Sequence, residues 1–130
     1  MEFQIGQSFT YRRTFTKEDV KDFIALSHYT GRHHEVENEE GEVMIQGLLT
    51  ATLPTHLGGE YNLLVYRMEY NLLRPVYTGD DVSCAITVAD KKEKKNKTHL
   101  DLTFVTTNQR GEEVLTGLLK AVVLHFEEEA

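Results

Sequence analysis

Residues 47–57 read Gly47-Leu48-Leu49-Thr50-Ala51-Thr52-Leu53-Pro54-Thr55-His56-Leu57 and carry no fixed charge. Apolar or small side chains occupy every side of the helix they would form. A helix without a charged face must be buried on most sides. Pro54 has no N–H for the carbonyl four residues back, which predicts a kink near Thr50. Gly58-Gly59 is expected to end the helix.

The flanks say what buries it. Phe9, Tyr11, Arg13 and Phe15 alternate with threonines and Arg12, the period of a half-buried strand over residues 9–15. Thr16 follows as a helix cap, with Glu18 and Asp19 at the positive end of the dipole. Val20, Phe23 and Ile24 form one apolar stripe of a helix that should end near Ser27. Residues 28–42 have no apolar period and read as a long polar loop holding His28, His33 and His34. Residues 62–74, 81–91, 98–107 and 114–127 are rich in Leu, Val, Ile, Thr, Tyr and Phe and read as strands.

Turn residues at 77–80, 93–97 and 108–111 predict antiparallel hairpins between successive strands. Strands this long must twist and curl. The uncharged helix is the natural filling of the curl. The expected fold is α+β, a long curved antiparallel sheet wrapped around one central buried helix. The last strand is apolar on both faces (Leu115, Leu119, Ala121 and Val123 on one; Val114, Leu118, Val122, Leu124 and Phe126 on the other). The helix covers one face, and a second subunit is the expected cover of the other.

Composition narrows the function. A chain of 130 residues suits a single domain over 1–130. The net charge of −7 argues against general nucleic-acid binding. One cysteine, Cys84, forms no disulfide framework and is expected in the core. The charge-free run 43–59 contains Gln46, threonines, His56 and Pro54, too short and too polar to span a bilayer. No apolar leader stretch occupies residues 1–16, so the expectation is a cytoplasmic protein. The lysine-rich residues 91–97 read as a solvated hairpin tip.

Three segments then carry a resemblance: FTKEDVKDFIALS (15–27), GEVMIQGLLTATLPTHLGG (41–59) and LLRPVYTGDDV (72–82). Over roughly residues 5–90 the chain resembles the MaoC-like hot-dog dehydratases, which include (R)-specific enoyl-CoA hydratases. The resemblance implies a homodimer or dimer of dimers, paired edge to edge. It also implies hydration or dehydration of a 2-enoyl or 3-hydroxyacyl thioester. Coenzyme A or an acyl-carrier arm is then part of the substrate, with no metal or redox cofactor.

The family's catalytic His falls on His34 and its helix-opening Gly on Gly47. The sequence departs from the pattern elsewhere. Tyr29 stands at the Asp position, Gly31 and Arg32 at Asn-Pro, and Gln46 at the His before the helix. In this reading the Gly47 amide polarises the thioester carbonyl, because a helix-opening N–H is unpaired and the dipole favours negative charge. His34 takes the water proton, and Tyr29 orients. Gln46, Thr50 and Leu48 are the expected pocket residues, whereas His56 is expected to be a core or interface histidine.

Two alternatives stand beside it. One is a thioesterase with Glu35 or Glu37 as base; the other is a non-catalytic acyl-CoA-binding dimer, because Tyr29 replaces the carboxylate. A metal reading of His28, His33, His34, Glu35 and His56 in a jelly roll is weaker, since adjacent histidines diverge in an extended segment.

Overall fold

The computed structural model describes residues 2–125. Its elements run β1 (Ser8–Thr14), α1 (Lys17–Ser27), a 3₁₀ turn (Arg32–His34), α2 (Gly47–Thr50), α3 (Thr52–Tyr61), β2 (Leu63–Leu72), β3 (Asp81–Lys94), β4 (Lys97–Thr107) and β5 (Glu113–Val123). The five strands form one antiparallel sheet in the order β1-β3-β4-β5-β2. The expected end of the last strand, at 126–127, lies outside the described residues.

Alternation of side chains builds the core. Val82, Cys84, Ile86 and Val88 of β3 lie on the inner face, with Leu100, Leu102 and Phe104 of β4 and Leu115, Leu119 and Ala121 of β5. Leu49, Leu53 and Leu57 of the central helix complete the cluster. Register slips at Val65/Arg67, Val88/Asp90 and Thr106/Thr107 are bulges that sharpen the curl. Cys84 is buried, and burial pushes its thiol above the ordinary value.

α1 begins as its sequence dictates. The Asp19 N–H donates to Thr16 Oγ1 at 3.1 Å and the Thr16 N–H donates to Asp19 Oδ2 at 2.9 Å, a reciprocal capping box. That backbone N–H, ahead of the Thr16 hydroxyl and Arg13, holds the Asp19 carboxyl below the usual range. Thr16→Ala should cost about 1 kcal/mol in urea unfolding at neutral pH. Asp19 is depressed in the folded state, so its contribution is present above the ordinary carboxylate range and disappears as pH falls through the lowered value. The gap between wild type and Asp19→Asn should therefore close in acid.

Three expectations are corrected. The 77–80 turn joins no hairpin: β2 pairs with β5 at one edge and β3 pairs with β1 near the other, so residues 73–80 cross over the sheet end. Gly58-Gly59 does not stop the helix, which runs to Tyr61 and ends at Asn62 in the left-handed conformation (φ 56°). The predicted kink is present, as a break between α2 and α3 at Ala51. The helix is also not covered on every side: Leu48, Thr52, Thr55 and His56 are exposed. His56, expected in the core or at an interface, is exposed on the single chain; its ring stands edge-on to Tyr11 at 4.9 Å, while the Tyr11 hydroxyl donates to the Glu60 carboxylate. Among the described residues no helix is long and apolar enough to cross a membrane.

Candidate active site

The site forms where the polar loop, the start of α2 and the crossover meet. The loop leaves α1 through His28, whose left-handed backbone (φ 60°) lets its N–H donate to the Ile24 carbonyl at 2.8 Å. It then tightens into the 3₁₀ turn. A Cβ on Gly31 would sit 2.8 Å from both the Tyr29 and His33 rings, so only glycine permits that packing. Asn38 Oδ1 accepts from the Glu40 and Glu42 N–H groups and shapes the return. The returning strand is clamped to the crossover. The Ile45 N–H donates to the Val76 carbonyl (2.8 Å), the Thr78 N–H to the Val43 carbonyl (2.9 Å), and the Val43 N–H to Thr78 Oγ1 (3.0 Å). Buried Asp80 accepts from the Tyr77 N–H and from Gln109 Nε2.

His34 ends in this frame 5% exposed, with Nδ1 2.8 Å from the Met44 carbonyl oxygen. A carbonyl only accepts, so Nδ1 carries the proton and donates. The ring, when neutral, then keeps its lone pair on Nε2, the nitrogen able to accept a proton.

α2 opens at Gly47, and Gln46 supplies no side-chain cap. In that turn the Leu49 N–H donates to the Gln46 carbonyl at 3.0 Å, whereas the Gly47 and Leu48 N–H groups precede any intrahelical acceptor. A Cβ on Gly47 would lie 2.8 Å from Leu72 Cδ1, the tip of an exposed side chain that has room to shift.

His34, Gly47 and Thr50 line one cleft of about 220 Å³, together with His33, Arg74 and an apolar wall that includes Leu72, Leu73 and Val76. Three expected site residues are thus brought together. Tyr29 stands at the edge, its ring 5.2 Å from that of His34 and its hydroxyl 3.2 Å from His33 Nε2.

Two expected pocket residues are not in the cleft. Leu48 turns outward and is 64% exposed, because the first turn of α2 directs it away from the sheet. Gln46 is buried, and its amide has no hydrogen-bond partner among the described residues. Glu35 and Glu37 line a different cavity of about 440 Å³ against α1, with Lys17, Lys21 and the far side of His34. Glu37 is paired there with Lys17 at 2.9 Å.

The sequence reading named His33 only as a candidate metal ligand, not as a residue of this cleft, and it did not name the wall of 72–76. The wall had a signal, since Leu72 to Val76 lie within a segment that carries the resemblance. His33 had none, because adjacent side chains were expected to diverge. The 3₁₀ turn instead brings the His33 and His34 ring centroids to 3.9 Å.

A long antiparallel sheet curled around a central helix, with a site at the helix opening, defines the hot-dog fold. No protein-family model and no curated protein sequence matches the chain. Solved structures do. The (R)-hydratase PhaJ1 from Pseudomonas aeruginosa superposes with a TM-score of 0.83 at 20% identity, covering 96% of this chain and 84% of that one. An (R)-hydratase from A. caviae gives 0.79 at 23% identity, covering 95% and 98%. A MaoC-like dehydratase from Rhodospirillum rubrum gives 0.73 at 19% identity, covering 95% and 94%. The protein has the hot-dog fold of the MaoC-like dehydratases and (R)-hydratases; at these identities the likeness is one of fold.

Proposed function

We propose that the protein adds water to, or removes it from, an acyl thioester of the 2-enoyl/3-hydroxyacyl type, carried on coenzyme A or an acyl-carrier arm. The observation that carries the reading is the convergence of His34, Gly47 and Thr50 on one cleft, with His34 Nδ1 tied to Met44 and Nε2 left as the base. In the hydration direction, the thioester oxygen accepts from the Gly47 N–H. His34 Nε2 takes a proton from water as the water oxygen bonds to Cβ. The double-bond electrons move toward the carbonyl, where the helix-opening amide stabilises the enolate, and a proton is then delivered to Cα.

The reading uses no cofactor beyond the substrate's own carrier. It agrees with the fold shared with (R)-hydratases and with a 3R-hydroxyacyl-ACP dehydratase complex from Mycobacterium tuberculosis (TM-score 0.67, 14% identity). Neither Glu35 nor Glu37 lines the cleft, so hydrolysis of the thioester lacks its expected base.

The test is a panel of enoyl-CoAs of increasing acyl length, followed for loss of the double bond and for free thiol in parallel. Double-bond loss without thiol is the expected result. Thiol release would make the protein a thioesterase, and binding without turnover would make it a binder.

The active form is proposed to be a dimer paired along β2. This edge strand exposes Leu64, Tyr66, Met68 and Leu72, and exposed Leu48 of α2 adds to the apolar total. The opposite edge, β1, exposes Thr10, Arg12, Arg13 and Thr14 instead. Apolar edge strands left open invite pairing with another chain. Sedimentation equilibrium should give twice the chain mass, and Met68→Arg should shift it to monomer. A wild type that is monomeric at every concentration contradicts the proposal.

A further inference from the structure

Hydration requires two proton transfers, one from water and one to Cα. His34 accounts for the first. The carboxylate of the family's pattern is absent, because Tyr29 stands in its place. Among the described residues lining the cleft, the ionisable side chains besides His34 are His33 and Arg74. Arg74 does not release its proton, and its Nη1 is committed to the Glu113 carbonyl at 2.6 Å. His33 remains.

We infer that His33, oriented by Tyr29, is the second proton-handling residue of the cleft. Three observations carry it. His33 lines the same cleft as Gly47. Its ring lies 3.9 Å from that of His34, centroid to centroid, at an interplanar angle of 50°. Its Nε2 is 3.2 Å from the Tyr29 hydroxyl, and Gly31 leaves room for both rings. Tyr29 therefore acts through His33 and is a positioning residue.

The step balances. The pair enters with one proton beyond those of two neutral rings, on His33. The water oxygen bonds to Cβ and a water proton goes to His34 Nε2, as the C=C electrons form the enolate. His33 gives its proton to Cα, and the carbonyl re-forms. The pair leaves with one proton, now on His34, and its return to His33 resets the site.

The inference rests on the hydratase reading, and its test separates the two. His33→Gln and His33→Asn are assayed with crotonyl-CoA beside wild type, His34→Gln and the double variant. The expected result is a kcat lower by about a hundredfold or more, with KM and thermal midpoint near wild type. The double variant should be no slower than His34→Gln, because the two act as one unit. Tyr29→Phe should lower kcat by a smaller factor with KM unchanged.

Wild-type kcat in either His33 variant, with wild type active, overturns the inference alone. So does a loss in which KM and thermal midpoint move with kcat, since that marks a structural role. A wild type inert toward every enoyl thioester overturns the hydratase reading and this inference with it.

Discussion

His34→Ala is expected to lower kcat for enoyl-thioester hydration on the order of a thousandfold, the middle of the range for a lost general base. The reason lies in one hydrogen bond. The Met44 carbonyl fixes the proton on Nδ1, and Nε2 is left to take the water proton. The substitution also strands the Met44 carbonyl, at about 1 kcal/mol, so the fold should survive. The Gly47 amide is untouched, and KM should change little. Unfolding curves beside the kinetics separate lost chemistry from lost fold; a loss of activity that follows a loss of fold contradicts the assignment.

The largest effect on stability is expected at Gly117. Its rung runs Phe9, Ile86, Phe104, Gly117, Tyr70 across the five strands. The Phe104 and Tyr70 rings meet edge to face at 5.6 Å. A Cβ on Gly117 would lie 2.0 Å from the Glu69 carbonyl oxygen and 2.6 Å from Phe104 Cζ. One obstacle is backbone and the other is a buried ring, so neither yields cheaply. Gly117→Ala should cost about 3 kcal/mol or more, roughly 10 °C or more in thermal midpoint for a domain of this size. Because β2 also carries Leu72 into the cleft, turnover should fall too. An unchanged midpoint would mean that β2 is not held against β5 as described.

Local chemistry was legible wherever one segment settles its own structure. Thr16 with Asp19 starts α1, and Pro54 breaks the central helix after Thr50. The inner and outer faces of β3 follow from simple alternation. What failed depends on distant partners. A turn at Tyr77-Thr78-Gly79-Asp80 reads the same whether it closes a hairpin or crosses the sheet. An uncharged helix face reads the same whether sheet or solvent meets it, which is why Leu48 was expected in the pocket and His56 in the core or at an interface. Gly58-Gly59 stays helical because the chain reverses only at Asn62.

The site divides along the same line. His34, Gly47 and Thr50, each named from the sequence, line one cleft. His33 was passed over because an extended segment was assumed where the chain makes a 3₁₀ turn. Gln46 was expected in the pocket because it precedes Gly47, yet its side chain turns into the interior. Adjacency in sequence did not reveal which way either residue faces.

The most direct test is one incubation of purified wild-type protein with crotonyl-CoA, following the enoyl double bond and free thiol together, with His34→Ala alongside. The account predicts loss of the double bond, no thiol, and a rate that collapses in the variant. Thiol release, or double-bond loss that is equally fast without His34, would contradict it.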